Sequence, residues 1–521
     1  MSNSVQLVWF KRDLRLHDHA PLHEALNTGN PVIALYADEP SVWQAPDAAY
    51  AQFLVFQESV AELAQGLGRL NIPFVYRVGE IIPILEELHD TLGISHVWSH
   101  QETGNAITYA RDIAVGVWTK SQGVGWTELR QHGVERPNKG RDGWSRRWKR
   151  LMSKPMAPTP TEPQGWTPPV DLKSDPPATW EAFGKAAFDI PLRMGGGESL
   201  GLQTLHSFLH ERGRNYRTDM SSPVKAFDGC SRLSHHLACG SVSLRRVYQD
   251  TIARVEELKG VEGMGGWRQS LSSFKGRLAW HCHFTQKLED EPELEFQNMS
   301  RAFDGMRQED PSRWTDEQRH RFESWCQGTT GMPMVDACMR AMHQGGWVNF
   351  RMRAMLMSTA SYHLWLHWRP TSVFMGSQYI DLEAGIHYTQ SQMQSGVTGI
   401  NTARIYSPRK QVKDQDPQGV FIKRFVPELA NVPPKYLPEP HLMPKSMQKS
   451  VGCIIGVDYP APLVDESESR LLALQRLREV KRTPFAKEEA ARVLQKHGSR
   501  STRRHKHKKP AKQAPSNDAQ A

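Results

Sequence analysis

The spacing of apolar residues changes near Ser199, and this change constrains the fold more than any other feature of the sequence. Over residues 1–135, short runs rich in β-branched and aromatic residues alternate with amphipathic stretches, which is typical of a parallel sheet with crossover helices. After Ser199, apolar residues recur every three or four positions, as they do on helices. We therefore predict a doubly wound, parallel-sheet α/β domain over 1–135 and an all-helical domain over 199–482.

Individual strands and helices follow from the same patterns. In the first domain, strands are predicted at 7–10, 32–36, 74–78 and 96–99, and helices at 19–27, 53–70, 82–92 and 108–122. In the second domain, helices are predicted at 202–211, 243–258, 267–288, 334–343 and 348–365. The first strand runs into FKRDLRLHDHAPL without a GxGxxG turn, which disfavours a nicotinamide dinucleotide site.

Two segments lack the pattern of a folded core. Residues 136–198 include KPMAPTPTEPQGWTPP, and because proline interrupts helices and central strands, we predict an interdomain linker there. Residues 483–521 are predicted to form a basic, disordered tail. The net charge of the chain is +9, but eight Lys or Arg and no acid lie between Lys496 and Lys512, so the rest carries +1. The tail either attracts phosphates in a salt-sensitive manner or has no specific role.

Composition argues against several classes of protein. No stretch approaches the ~18 uninterrupted apolar residues of a membrane span, and the first residues, MSNSVQLVWFKRD, do not resemble a secretion signal. We therefore expect a cytoplasmic protein that does not bind a membrane. The six cysteines include no CxxC pair, so no metal site is predicted and buried free thiols are expected.

Five tracts are specific enough to indicate a family. The opening LVWFKRDLRLHDHAPLHEA is followed, in order, by CSRLSHHLACG, GMPMVDACMRAMHQGGWVNFRMR, FMGSQYIDLEAG, and ARIYSPRKQ with FIKRFVPELANVP. In this order they resemble the photolyase/cryptochrome family from Gln6 to about Pro440. The resemblance implies that the helical domain binds FAD. It also implies a possible second, antenna chromophore in the first domain, whether a folate, a deazaflavin or another flavin.

The resemblance further implies a light-driven activity on DNA. In the family, excited reduced FAD donates an electron to a pyrimidine dimer, the ring splits and the electron returns. The leading interpretation is a monomeric enzyme that repairs cyclobutane pyrimidine dimers in DNA. A cryptochrome photoreceptor that signals through a partner is the main alternative. A (6-4) photolyase is the other, although no adjacent histidine pair lies near the Trp347 helix. One branch of the family holds an iron–sulfur cluster on four late cysteines, but only Cys453 follows Cys338, so that cluster is not expected.

A loop that should begin a helix matches the family's contact to the FAD pyrophosphate. Free backbone N–H groups and the helix dipole favour a phosphate there, although an ordinary N-cap would also explain the residues. The loop comprises Cys230, Ser231, Arg232, Leu233 and Ser234. Upstream, Tyr216 matches a contact on the adenosine side, so the resemblance implies a continuous site for this half of the cofactor.

A second group of residues matches contacts to the flavin ring. Arg353 and Asp381 match an ion pair along the ring edge, where it can stabilise an anionic reduced flavin, and Glu383 stands where the family has a second acid. The alternative is an ion pair that only braces the domain. Depending on gap placement, the usual asparagine near the flavin falls at Gly385 or His387.

The cavity for a flipped-out dimer needs aromatic faces and cations. Trp280, Arg351 and Gln411 match the family positions that line it. Where many photolyases read Glu-x-x-Trp-Arg, this chain has Arg277 and His281 around Trp280, so an acid has become a base and an arginine a histidine. Arg277 and His281 are predicted to lie at the cofactor. Because these two residues differ from those of the family, the family's substrate contacts at these positions are not expected in the same form.

The usual electron chain of the family begins with a Trp that is missing here. The loop over 383–396 contains no Trp, and the position falls at Thr389 or Ser391. We hypothesise that Trp347, Trp365 and Trp368, predicted on one helical stretch, replace it together with Tyr388. The alternative is that these Trp side chains only fill the core.

Overall fold

The computed structural model describes residues 4–498, and its first domain is a five-stranded parallel sheet. The strands are β1 (Val5–Phe10), β2 (Val32–Asp38), β3 (Phe74–Val78), β4 (Ile94–His100) and β5 (Gly125–Leu129). Their order is β3-β2-β1-β4-β5, and Val8 lies opposite both Ala34 and Trp98. The order reverses between β1 and β4, where ligands of doubly wound sheets bind.

Helices cover both faces of this sheet, which explains why β1 and β2 are buried along nearly their whole length. They are α1 (Ala20–Asn27), α2 (Pro40–Trp43), α3 (Tyr50–Arg69), α4 (Ile81–Leu92) and α5 (Ala106–Ser121). The four strands and four helices predicted for this domain are confirmed. The sequence does not predict β5, because this edge strand is only half-buried and mixes polar and apolar residues.

The rest of the chain is mostly helical, as predicted for residues 199–482, and the segment predicted as an interdomain linker, 136–198, also contains the helix Trp144–Met152. The first helices after the sheet are α6 (Trp144–Met152), α7 (Glu198–Ser207), α8 (Tyr216–Asp219), α9 (Ala226–Gly229), α10 (Ser234–Cys239), α11 (Leu244–Glu257) and α12 (Gly265–Asp290). They are followed by α13 (Asp316–Gln327), α14 (Pro333–Gly345), α15 (Phe350–Ser358), α16 (Trp368–Gln378), α17 (Ala384–Ser395) and α18 (Pro408–Gln415). The last are α19 (Val420–Phe425), α20 (Lys445–Ser450), α21 (Glu466–Arg482) and α22 (Pro484–His497). Within residues 4–498, no helix combines the length and the apolar character needed to cross a membrane.

The stretch predicted as one helix over 348–365 is broken. α15 ends at Ser358 and continues as a wider, π-helical turn over Thr359–His363. Trp365 then takes φ +57°, in the left-handed region that a residue other than glycine rarely adopts and that ends a right-handed helix. α16 is therefore a new helix that begins at Trp368.

The prediction of a disordered tail from residue 483 is wrong for its first part. α22 occupies Pro484–His497, and the Thr483 side chain accepts a hydrogen bond from the Ala486 amide at its start. Ala486 and Val493 are buried, at helical spacing that the surrounding charged residues obscure in the sequence. The remainder of the predicted tail, 499–521, lies outside the described residues.

One apolar core joins the two domains. On one face of the sheet, Phe10, Tyr36 and Phe53 belong to the same buried cluster as Trp347 and Ile380 of the helical domain. The polypeptide around Trp347 and Ile380 is thus held against the sheet, and it carries several of the predicted site residues.

Candidate cofactor site

Six of the buried polar atoms without a hydrogen-bond partner within residues 4–498 lie on or next to the predicted site residues. They are Arg232 Nη1, Ser234 Oγ, His281 Nε2, Asn349 Oδ1, Arg351 Nε and Gln411 Oε1. Five of the six residues were singled out from the sequence, and the sixth, Asn349, lies two positions before Arg351. Buried polar groups in native proteins are nearly always paired, so a group of unpaired ones indicates a polar ligand.

Contacts near the start of α15 connect these residues across the chain. The Arg232 guanidinium lies 3.8 Å from the ring centre of Trp347, and Asn349 Nδ2 donates to the Met220 carbonyl at 3.0 Å. Arg351 donates to Ser221 Oγ at 3.3 Å. The segment 220–222 is in turn tied to the end of α18, the helix that carries Gln411, through a 3.2 Å hydrogen bond from Ser222 to the Gln415 carbonyl.

The backbone of the predicted phosphate loop turns sharply at Arg232, whose φ of +59° lies in the left-handed region that residues other than glycine rarely adopt. Arg212 donates to the carbonyl oxygens of Cys230 and, at 2.8 Å, of Ser231, which fixes the loop from behind. α10 starts with Leu233 as its N-cap and without any side-chain cap, so the ordinary N-cap explanation does not account for the loop. The buried Ser234 hydroxyl at the first turn is left for a ligand.

Burial changes the acidity of two side chains of this loop and of the nearby Tyr216. It raises the pKa of the Cys230 thiol to about 12, so this thiol stays protonated and is not a nucleophile. It lowers the pKa of the Arg232 guanidinium to about 10, against the opposing charge of Asp381, and the side chain remains a cation at neutral pH. Tyr216 packs edge-on against Phe208 and Phe274, with its pKa raised by burial.

The predicted ion pair is present and bidentate. Arg353 Nη1 and Nη2 donate to the two carboxylate oxygens of Asp381 at 2.9 and 3.0 Å, and Arg353 Nε donates to the Val348 carbonyl at 2.8 Å. The guanidinium also lies 4.1 Å from the ring centre of Tyr379. Burial alone would lower the pKa of Arg353, but the Asp381 charge raises it. This geometry fits both a flavin-edge pair and a bracing pair.

α12 presents Arg277, Trp280 and His281 on one turn. The Trp280 side chain is 50% exposed, which is unusual for the largest aromatic residue. The Arg277 guanidinium lies 4.3 Å from its ring centre and 4.7 Å from that of Phe350 at the start of α15. Arg277 Nη2 also lies 3.7 Å from Met220 Sδ, so the exposed aromatic face stands next to the segment that Asn349 contacts.

His281 lies 3.6 Å from Glu383 Oε1, between α12 and the start of α17. Burial alone would lower the pKa of His281, but its contacts with Cys282 and with the Glu383 carboxylate raise it to about 10. The imidazole is therefore a cation at neutral pH. At the position where the family's pattern has an arginine, this chain thus has another cation, the His281 imidazolium, which lies beside Glu383.

α17 comes close to α12 at Gly385, where a Cβ atom would lie 2.6 Å from the Thr285 Cα. Only glycine permits this approach. His387 is turned towards α16, where its Nε2 donates to the Ser372 carbonyl at 2.8 Å. Gly385 and His387 are the two positions that can correspond to the family's asparagine near the flavin. Neither provides a side-chain amide.

The predicted aromatic route is only partly assembled. Trp368 and Tyr388 are in edge contact, 6.4 Å between ring centres, and Tyr388 donates to Asp47 of the first domain at 2.6 Å. Trp347 lies apart, against Phe227, and Trp365 lies between two arginines, Arg307 and Arg476. The prediction that the three Trp residues share one helical stretch is wrong, because the chain breaks between α15 and α16.

Sequence reasoning misses three contributors to this site. Asn349 is polar within the tract WVNFRMR, a signal that could have been used. Arg212 and Asp47 carry no such signal, because they act on residues 18 and 341 positions away in the sequence.

A separate pocket opens at the carboxyl ends of β1 and β2, between the sheet and the start of α17. Its walls include Trp9, Lys11, Glu39, Trp43 and Arg111, together with Leu382 and Ala384 of the helical domain. Glu39 Oε2 is buried there without a hydrogen-bond partner within the described residues. This edge of the sheet is where a ligand of the first domain is expected.

A buried trio near this edge, Asp13, His19 and His100, has the composition of a metal site. His19 Nδ1 accepts a hydrogen bond from the Leu22 amide at 3.1 Å, so its proton is on Nε2, which donates to Asp13 at 2.9 Å. His100 Nδ1 donates to the same carboxylate oxygen at 2.7 Å. The nitrogens facing Asp13 thus carry protons, and the trio is a hydrogen-bond network.

Comparison with known proteins agrees with this architecture. Residues 6–143 match the family model for DNA photolyase, and residues 274–479 match the model for the FAD binding domain of DNA photolyase. The chain is 30% identical to a deoxyribodipyrimidine photo-lyase of Vibrio cholerae, over 90% of this chain and 98% of that protein. It is 28% identical to a cryptochrome DASH of Gloeobacter violaceus, over 90% and 95% of the two chains.

A solved structure supports the same assignment. The fold matches the crystal structure of a bacterial class III photolyase from Agrobacterium tumefaciens with a TM-score of 0.77 and 25% identity, over 93% of this chain and 99% of that one. Sequence identity extends over nearly the whole length of these proteins and includes the domain that carries the unpaired polar atoms. The chain therefore belongs to the photolyase/cryptochrome family.

Proposed function

We propose that this chain repairs cyclobutane pyrimidine dimers in DNA with blue light, using FAD bound in the helical domain. The observation that carries this proposal is the half-exposed Trp280 ring with the Arg277 guanidinium stacked on it, beside the cluster of unpaired buried polar atoms. A bound reduced FAD supplies the excited electron that splits the dimer. The protein must supply the cofactor site, the lesion site and the charges around them.

The residues present fit FAD as a ligand. Arg232 Nη1 and Ser234 Oγ are unpaired donors suited to a pyrophosphate, at a loop whose carbonyls are turned towards Arg212. Tyr216 would border the adenosine half. Arg353 and Asp381 would lie along the flavin ring, with the guanidinium balancing negative charge.

The lesion would stack on Trp280 after leaving the helix. A flat, exposed indole accepts any base by stacking, and the cations Arg277 and Arg351 are suited to the flanking phosphates. Gln411 Oε1, unpaired and buried, would accept a hydrogen bond from the N–H edge of a thymine. These residues bind and orient the dimer without performing bond chemistry themselves.

His281 and Glu383 would form a proton-holding pair at the same site. The imidazole keeps its proton at neutral pH because of its contacts with Cys282 and Glu383, and so adds a positive charge where the family's pattern has an arginine. We propose that this charge favours electron arrival at the dimer in place of that arginine.

Electron supply to the cofactor would use Trp368 and Tyr388. Their rings are in contact, and the Tyr388 hydroxyl already donates to Asp47, so loss of an electron from Tyr388 can be accompanied by transfer of its proton to that carboxylate. We do not extend this role to Trp365, which lies between Arg307 and Arg476.

A photoreceptor of the cryptochrome type is the second candidate. It is favoured by the replacement of the family's acid and arginine by Arg277 and His281, and by the similarity to proteins named cryptochrome DASH. In either case, the pocket lined by Trp9 and Glu39 is our proposed site for an antenna chromophore.

A repair assay separates the two candidates. The purified protein, with its flavin chemically reduced, is illuminated with blue light together with an oligonucleotide that holds one thymine dimer. Restoration of both thymines, with none in the dark, is expected of the enzyme. No restoration, in a sample whose absorption spectrum shows reduced flavin, would contradict repair and favour the photoreceptor.

A further inference from the structure

A cleft in the helical domain lies apart from the predicted cofactor site and from the pocket beside β1 and β2. It opens where α14, α18 and α21 begin, and it encloses about 300 Å³. An engineered cavity of about 150 Å³ already binds benzene, and natural ligand pockets start at about 300 Å³. Among the described residues, its walls share none with the other pocket or with the residues that keep unpaired polar atoms near the cofactor site. The cleft is therefore a separate candidate site for a small ligand.

The floor of the cleft is apolar and held in place by the fold. Met332, Met334 and Val412 are buried there, and the flexible thioether side chains of methionine adapt to ligands of irregular shape. The wall that faces α14 is tied to the chain just before that helix, because the Leu463 amide donates to the Thr330 carbonyl at 3.1 Å. The floor thus offers a preformed surface for the apolar part of a ligand.

The mouth of the cleft carries more acids than bases. Two carboxylates share the single arginine, since Arg409 Nη1 donates to Glu439 Oε1 at 3.1 Å and Arg409 Nε lies 3.3 Å from Glu466 Oε1. Asp465 is the N-cap of α21 and accepts hydrogen bonds from two amides of its first turn. His441 completes the charged or titratable part of the lining. Even with His441 protonated, the three carboxylates outnumber the cations by one.

The hydrogen bonding of the cleft differs from that of the predicted cofactor site. Within residues 4–498, none of the buried side-chain atoms without a partner belongs to the lining of the cleft. A ligand therefore does not have to complete a buried polar network here, as FAD would. It needs an apolar body for the floor and one positive group for the mouth. A phosphate or a carboxylate would meet the excess of like charge at the mouth.

We propose that this cleft binds a small organic cation, an ammonium group attached to an aromatic or branched aliphatic body. The ammonium group would be held by Glu439, which has only a share of Arg409 as its counter-charge. The body would lie on Met332 and Met334 at the floor. The inference goes beyond the proposed repair of DNA and does not depend on it, because neither light nor a lesion takes part in the binding.

The first test compares three probes that carry the same phenyl group and differ in charge. They are 2-phenylethylammonium, 2-phenylethanol and 3-phenylpropionate, and their dissociation constants are measured by ligand-detected NMR titration of the full-length, flavin-bound protein in the dark. We expect the cation to bind about fivefold more tightly than the neutral alcohol, and the anion to bind least tightly. No saturable binding of the cation, or equal affinity for the cation and the anion, would overturn the proposal.

Two variants assign the binding to the cleft. Glu439→Gln should weaken binding of the cation about fivefold and leave that of the alcohol unchanged. Its control is Glu428→Gln, because both side chains are 29% exposed and each is paired with an arginine. Val464→Trp narrows the cleft and should weaken binding of both probes. Its control is Val451→Trp, since Val451 is also half-buried against the same core but lies outside the cleft.

Circular dichroism and flavin content show whether each variant is folded. Binding of the cation that is unchanged in Glu439→Gln and in Val464→Trp, or equally weakened in the two controls, would overturn the proposal. Because the titrations use no DNA and no light, failure of the protein to repair dimers would leave their outcome unaffected. The proposed function and the cation site can therefore fail separately.

Discussion

Two clusters of buried polar residues, one in each domain, differ in how far the protein itself completes them. In the first domain, Asp13 accepts hydrogen bonds from the Lys11 amide at 2.7 Å, from His19 and from His100. In the helical domain, Ser234, Asn349, Arg351 and Gln411 each keep a buried polar atom without a partner among the described residues. Both clusters are polar and buried. Only the one in the helical domain, here called the unfinished cluster, keeps polar atoms without hydrogen-bond partners among the described residues.

This contrast shows that burial and polarity alone do not mark a ligand site. A closed network such as that of Asp13 strengthens the native state, because each of its groups would lose its partner on mutation. An unfinished cluster costs stability until a ligand completes it. We therefore expect mutations in the first cluster to act on folding, and mutations in the second to act on cofactor and substrate.

The largest effect on folding is expected from Asp13→Ala. It leaves two buried imidazole donors facing an empty space, and we expect it to lower the free energy of unfolding by about 3–5 kcal/mol. Urea unfolding followed by circular dichroism measures this, with Asp171→Ala, an exposed acid, as the control at less than about 0.5 kcal/mol. Loss of flavin from protein that remains fully folded would contradict the contrast between the clusters.

Asp381→Asn tests whether the bidentate pair belongs to the unfinished cluster. It weakens the hold on Arg353, costs about 1–3 kcal/mol of stability, and is expected to lower the ratio of flavin to protein after purification. Asp336→Asn is the matched control, since Asp336 is buried with Thr330, Gly331 and Tyr459 as partners. If both variants keep their flavin, the Arg353–Asp381 pair only braces the domain.

Trp280→Ala should weaken binding of an oligonucleotide that carries a thymine dimer, measured in the dark. Loss of one stacking face costs about 1–3 kcal/mol. Phe296→Ala is a close control, because Phe296 is 40% exposed and has the Arg369 guanidinium 5.1 Å from its ring centre. Equal losses in the two variants would mean that Trp280 has no special part in lesion binding.

The Asp13 cluster should also make stability fall in acid. Burial lowers the pKa of His100 to about 3 and lowers that of His19, so both imidazoles are neutral when folded. Unfolding restores a pKa of about 6.5, so below that pH the unfolded chain takes up protons that the folded chain does not. The free energy of unfolding should therefore fall as the pH drops from 6.5 to 4. In His100→Asn this fall should be smaller, by up to about 1.4 kcal/mol per pH unit. An unchanged pH slope would show that His100 is protonated in the native protein.

Tyr388→Phe is expected to have the smallest effect on stability, about 0.5–1.5 kcal/mol for the lost hydrogen bond to Asp47. Light-driven flavin reduction, followed by absorption, should slow if Tyr388 supplies electrons. Tyr362→Phe is the control, because its buried hydroxyl has no hydrogen-bond partner within residues 4–498. Trp368→Phe with unchanged light-driven reduction would remove Trp368 from the proposed route.

The sequence predicts elements whose periodicity is strong and misses those fixed by tertiary contacts. The buried strands β1 and β2 are apolar except for Gln6 and Asp38, whereas the half-buried edge strand β5 is not recognisable. α22 escapes prediction because few apolar residues anchor it. The break at Trp365 depends on a backbone conformation that no local motif announces.

The candidate site divides in the same way. Ser234, Arg353 and Asp381 lie in continuous tracts that a family resemblance can align. The contact of Tyr388 with Asp47 joins residues 341 positions apart in different domains, and no sequence spacing could reveal it. Nor could the sequence show that contacts with Cys282 and Glu383 would raise the pKa of His281 to about 10.

The most direct test of the account is a titration of flavin-free protein with FAD, followed by its unfolding temperature. If FAD completes the unfinished cluster, stability rises with concentration, by about 2.7 kcal/mol when free FAD is 100 times its dissociation constant. Riboflavin, which lacks the pyrophosphate that Arg232 and Ser234 are proposed to bind, should stabilise the protein much less at equal concentration. No change with FAD, or an equal change with riboflavin, would contradict the account.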